Sequence, residues 1–133
     1  MPETAPSSAS IRRVLVADDE PHVRRILVTL LEARSLEVEI AVNGTSTMEL
    51  LESDRRYDVV LLDLMMPGAS GLEVLERLRQ LDHRRDLSVV ILTAKGQETD
   101  RQRAFMLGAD DFVTKPFSPK KLLALIDTLL GDV

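Results

Sequence analysis

Carboxylates, a hydroxyl and an amine stand at the ends of short apolar runs in this sequence. Asp18-Asp19 follows Val14-Leu15-Val16-Ala17, and Asp63 follows Val59-Val60-Leu61-Leu62. Thr93 closes the run that begins at Ser88, and Lys115 closes the short run Phe112-Val113-Thr114. Three carboxylates brought together repel, and one takes up a proton unless a cation offsets them. Lys115 supplies one positive charge; a hard divalent ion would supply the rest. Carboxylate and carbonyl oxygens with open water positions suit Mg²⁺ better than a closed calcium cage. An aspartate beside Mg²⁺ and a lysine can act as a nucleophile on phosphorus and form an acyl phosphate. Phosphoryl transfer asks mainly for positioning and neutralised oxygens, and these groups provide both.

For these groups to meet, the apolar runs must be strands that end along one edge. The pattern between them supports this. Pro21 suits a first helical turn, and Val23, Ile26, Leu27, Leu30 and Leu31 follow at helical spacing. Val38, Ile40 and Val42 alternate as in a less buried strand, and Asn43-Gly44 is a turn signal. Thr45 to Leu51 reads as a short helix. Pro67-Gly68 breaks the chain, and Leu72, Leu75, Leu78 and Leu81 mark another helix. Thr99 to Leu107 is a helix ended by Gly108, and Ser118-Pro119 opens a last one carrying Leu122, Ile126 and Leu129. Five strands alternate with five helices, which predicts a doubly wound α/β fold with a parallel sheet. The flavodoxin-like (βα)5 order 2-1-3-4-5 suits this count and length. Its switch point lies between strands one and three. Asp18, Asp19 and Asp63 are therefore expected in one pocket, with Thr93 and Lys115 on its rim.

Composition narrows the function. The chain has 133 residues, one domain's worth, and no cysteine. A disulfide framework, a thiolate zinc site and a cysteine nucleophile are excluded. His22 and His83 are far apart and read as surface residues at helix ends. A net charge of −5 without a basic run is a poor match for nucleic acid. No apolar stretch reaches the roughly 18 residues of a membrane span. The first ten residues, MPETAPSSAS, lack the basic start and apolar core of a signal peptide. They are expected to form a disordered tail ahead of a domain over 11–133, in a cytoplasmic protein. Arg12-Arg13 and Arg84-Arg85 read as solvated faces.

The segments VLVADDEPHVRRIL, VVLLDLMMPGASGLEVLERLR, VVILTAKGQETDR and GADDFVTKPFSPKKL resemble the receiver domain of two-component response regulators. The resemblance covers about residues 11 to 130. Asp19 to Asp63 is 44 residues, Asp63 to Thr93 is 30 and Thr93 to Lys115 is 22, all typical of that family. The resemblance implies that Asp63 is the phosphoacceptor and that Mg²⁺ binds Asp19, Asp63 and the backbone carbonyl of Met65 directly, with Asp18 acting through water. It implies that Lys115 pairs with Asp63 and then with the phosphoryl oxygens. Thr93 would be the switch hydroxyl and Phe112 the switch aromatic, here without a tyrosine's OH. Met65 and Lys95 would tune phosphoryl lifetime, a bulky apolar Met65 shielding the acyl phosphate from water. Lys115-Pro116 matches a peptide bond that is usually cis in the family.

The implied partners are a sensor histidine kinase or phosphotransfer protein and a downstream protein or linked output domain. The domain itself would be a phosphoacceptor that assists its own phosphorylation and dephosphorylation, not an enzyme. Its output surface would be the fourth helix, fifth strand and fifth helix. The region 97–121 looks most like receivers of winged-helix transcription factors, which dimerise through those elements with paired charges. Arg101, Arg103, Asp110 and Asp111 resemble part of that set, whereas Leu125 stands where those relatives usually carry Arg. A phosphorylation-dependent homodimer is one expectation. Alternatives are an excised regulatory domain of a DNA-binding factor and a phosphorylation-independent adaptor of the same fold. A dehalogenase-type phosphatase would need a second acid where Met65 stands. A flavin-binding protein would need a phosphate-cradling loop where Asp18-Asp19-Glu20 stands.

Overall fold

The computed structural model describes residues 11–94 and 97–131. The expectations for the tail at 1–10 and for Lys95 fall outside the described residues. In chain order the elements are β1 (Arg13–Ala17), α1 (Pro21–Glu32), β2 (Glu37–Ala41), α2 (Gly44–Glu52), β3 (Val59–Leu62) and α3 (Gly71–Arg79). A 3₁₀ turn over Asp82–Arg84 leads to β4 (Ser88–Thr93), α4 (Glu98–Met106), β5 (Asp111–Thr114) and α5 (Pro119–Leu130). The strands form one parallel sheet in the order 2-1-3-4-5, the order expected from the alternation.

Apart from Arg13, Ser88 and Thr93 at strand ends, the central strands β1, β3 and β4 are apolar because both of their faces are covered. Leu15, Ala17, Val60 and Leu62 point to the side held by α2, α3 and α4. Val14, Val16, Val59 and Leu61 point to the side held by α1 and α5. β2 is an edge strand, so it tolerates Glu37 and Glu39. Asn43 does more than mark a turn: its side chain accepts a hydrogen bond from the Ser46 amide and caps α2. Ser70 and Glu73 form a reciprocal capping box at α3. α3 stops at Arg79, so Leu81 of the predicted helix lies beyond it. Gly108 takes φ 101°, a left-handed value that frees the chain from α4 toward β5.

The arginine pairs are not simply solvated. Arg84 is only 4% exposed. Its Nε donates to Leu51 O at 2.8 Å, and its Nη2 donates to Ser53 O at 3.0 Å and Arg55 O at 2.6 Å. The last carbonyls of a helix have no partner within it; this guanidinium serves Leu51 O of α2 and the carbonyls just past its end, and His83 Nε2 also lies within hydrogen-bond distance of Leu51 O and Ser53 O. It also lies 5.1 Å from the Tyr57 ring centroid. Arg79 similarly donates to the carbonyls of Arg84, Arg85, Leu87 and Gly108. Arg12 donates to Leu130 O at the end of α5, and Arg13 pairs with Glu37. All of these contacts lie along the edge where the strands begin.

Candidate functional site

The opposite edge, where the strands end, holds the chemistry. The backbone ladder runs one residue past the strands and fixes where the first side chains emerge. The Asp18 amide donates to Ala41 O at 3.1 Å, the Asp63 amide to Ala17 O at 2.9 Å, and the Lys115 amide to Thr93 O at 2.9 Å. The Asp63 loop is clamped by Gly71 at the start of α3, whose amide donates to Leu64 O. A Cβ at Gly71 would stand 2.3 Å from Asp63 O, so only glycine permits this approach. The Lys115-Pro116 peptide bond is cis.

Asp18 and Asp63 are buried, at 2% and 4% exposure. Lys115 reaches both: its Nζ lies 2.8 Å from Asp18 Oδ2 and 3.1 Å from Asp63 Oδ2. A third contact runs to Glu20 Oε1 at 2.8 Å. The other oxygens are held by the main chain. Asp18 Oδ1 accepts from the Glu20 amide at 2.9 Å, and Asp63 Oδ1 accepts from the Met65 amide at 3.1 Å. Burial pushes the Asp18 carboxyl up, against the downward pull of its hydrogen bond to Lys115. Burial alone would lower Lys115, but its carboxylate partners outweigh that and hold it above the usual lysine range. The ammonium therefore stays charged. Glu20 is drawn below its usual range by its hydrogen bond to Lys115.

Carboxylate oxygens of Asp18, Glu20 and Asp63 lie within 4.8 Å of one another. That is a hard-oxygen donor set of the kind a small divalent cation takes. Asp19 is half-buried and is not a member of this trio. Glu20 was missed as a site residue. Its only signal in the sequence is its place in the run Asp18-Asp19-Glu20. Thr93 is fully buried at the end of β4. Phe112 is buried in β5, in the same cluster as Ile91, Ala104 and Ala109. Met65 projects from the Asp63 loop and is 57% exposed. The site thus gathers two buried carboxylates and one exposed carboxylate around a fixed ammonium.

The charges compared above with a dimer-forming set are partly engaged within the chain. Asp110 Oδ2 accepts from the Val89 amide at 2.8 Å and pairs with Arg79 at 3.4 Å. Asp111 Oδ1 accepts from the Phe112 amide. Arg101 lies over the Phe105 ring.

Known proteins are similar to this chain in sequence and fold. A family model described as "Response regulator receiver domain" matches residues 14–127. The transcriptional regulatory protein SrrA of Staphylococcus aureus is 40% identical over 117 residues, which cover 88% of this chain and 47% of that protein. The chain thus spans about half the length of the curated relatives it matches. A CheY-like response regulator receiver domain protein from Methanospirillum hungatei JF-1 superposes with a TM-score of 0.86 at 27% identity, covering 92% of this chain and 96% of that one. The receiver domain of the Francisella response regulator 1452 gives a TM-score of 0.82 at 30% identity, covering 90% and 97%.

Proposed function

The chain belongs to the response regulator receiver family, and from this we propose that Asp63 accepts a phosphoryl group from the phosphohistidine of a partner kinase. A carboxylate oxygen of Asp63 attacks phosphorus. The P–N bond to the imidazole breaks, and the leaving nitrogen keeps the electron pair. The observation that carries this reading is the Lys115 ammonium between Asp18 and Asp63 at the strand ends. A charged, fixed donor there can follow the phosphoryl oxygens as their charge develops.

The trio of carboxylates fits Mg²⁺ by donor type. Asp18, Asp19, Asp63 and the Met65 carbonyl would hold it, as the family pattern has it. When bound, it would neutralise phosphoryl oxygens. Thr93 then offers its hydroxyl to the phosphoryl group, and Phe112 packs behind the displaced loop. This shifts an existing balance between two forms of the face built by α4, β5 and α5. The domain is a switch with no separate substrate to turn over. It reads a histidine kinase or phosphotransfer protein and acts on a downstream protein or a linked output domain, in the cytoplasm. Its kinship with SrrA supports a linked output.

Incubation with acetyl phosphate and Mg²⁺, followed by intact mass, tests the reading. One added phosphoryl group is expected, absent in Asp63→Asn. No mass gain in the wild-type chain, or an equal gain in the variant, would overturn it.

A further inference from the structure

We propose that Glu20 is a latch on Lys115, a positioning residue that must let go before the ammonium can serve a phosphoryl group. The inference rests on the phosphoacceptor reading above. An ammonium has three N–H donors. Lys115 spends them on Asp18, Glu20 and Asp63, at 2.8, 2.8 and 3.1 Å. Its side chain is 9% exposed, so water has little access to it. A phosphoryl oxygen on Asp63 can be served only if one of these contacts gives way.

The three contacts are not equal. Asp18 is buried and pinned through its other oxygen by the Glu20 amide. Asp63 is buried, held by the Met65 amide, and is itself the group to be modified. The Glu20 side chain is 55% exposed, and Lys115 is its only hydrogen-bond or ion-pair partner among the described residues. An exposed carboxylate regains water when released, so its contact costs least to break. Glu20 therefore holds the unphosphorylated arrangement and yields Lys115 on phosphorylation. The Asp18 contact stays throughout.

The test titrates beryllofluoride, a phosphoryl analogue, at saturating Mg²⁺ into wild-type, Glu20→Gln and Asp63→Asn proteins. It also follows the Lys115 ammonium protons by NMR. Glu20→Gln keeps the shape and removes the charge. It should bind the analogue about two- to fivefold tighter, the factor that corresponds to one exposed ion pair. The Lys115 protons should exchange faster in the analogue-free variant only. Unchanged affinity would overturn the latch, and so would tighter binding with unchanged ammonium exchange, which would leave plain charge repulsion. Failure of the phosphoacceptor reading looks different: the wild-type protein would not bind the analogue, or Asp63→Asn would bind it equally.

Discussion

Lys115 Nζ lies 2.8 Å from Asp18 Oδ2, although 97 positions separate the two residues, and both side chains are almost fully buried. Neither charge would be stable there alone. Burial raises the Asp18 carboxyl and would lower the amine. Paired, they keep a permanent positive charge beside Asp63 without a bound ion. This explains how a cluster of acids can sit at one end of a parallel sheet and still fold.

Asp19 and Glu20 are the two candidates for the third acid at the proposed cation site. Asp19→Ala should weaken Mg²⁺ binding about tenfold or more, as loss of a metal-site group does. Glu20→Gln should stay within about threefold of wild type, the scale of one exposed charge. Calorimetric Mg²⁺ titrations of the two variants check this. The reverse ranking would assign the cation to the Asp18, Glu20 and Asp63 trio.

Met65 stands exposed two residues past Asp63, the proposed phosphoacceptor, where water would approach an acyl phosphate. Met65→Asn replaces an apolar cover with an amide that can orient water. Self-dephosphorylation should speed up about tenfold, equal to about 1.4 kcal/mol of barrier. Decay of the phosphorylated species by intact mass measures it, and an unchanged half-life would discard the shielding role.

Arg84 should matter more to stability than any other arginine at the strand-start edge. Arg84→Ala leaves Arg55 O without its guanidinium donor, leaves Leu51 O and Ser53 O with His83 alone of these two side chains, and removes the cover of Tyr57. A loss of about 3 kcal/mol is expected from hydrogen bonds to a charged donor. Arg85, exposed and with its side chain paired among the described residues only to Asp82, should lose no more than about 0.5 kcal/mol on Arg85→Ala. Urea unfolding of both variants checks the contrast.

The chain has one tyrosine and no tryptophan, so its ultraviolet titration reports Tyr57 alone. Burial, with the Glu39 carboxylate accepting from its hydroxyl, pushes Tyr57 from 10.0 up to about 12. The folded protein holds this proton more tightly than the unfolded chain. The stability from this group is therefore complete below about pH 10 and is lost as pH rises toward 12. The tyrosinate midpoint should fall to the ordinary value in urea, and Glu39→Gln should lower it in the folded protein.

Much of the fold and of the candidate site is legible in the sequence. β1, β3 and β4 are written as apolar runs because both faces of a central parallel strand are covered. Asp18, Asp63, Thr93 and Lys115 were legible because each ends such a run. Contacts that depend on side-chain reach were not. Nothing in the spacing says that Glu20 rather than Asp19 turns toward Lys115. Nothing marks Arg84 as buried and Arg85 as exposed, since the carbonyls that select between them belong to α2, over 30 positions away. The end of α3 was overrun because Leu81 keeps the leucine rhythm of the helix after the backbone has left it.

The arginine contacts and the acidic site occupy opposite ends of the same strands. Strands of four to six residues separate them by roughly 15 Å, at about 3.3 Å per residue. Side chains that far apart with no shared partner contribute independently. Folding strength and signalling behaviour are therefore separable quantities in this molecule. A substitution that retunes the reactive edge and one that weakens the arginine edge should combine as a simple sum, so the same scaffold can carry a fast or a slow switch without being rebuilt.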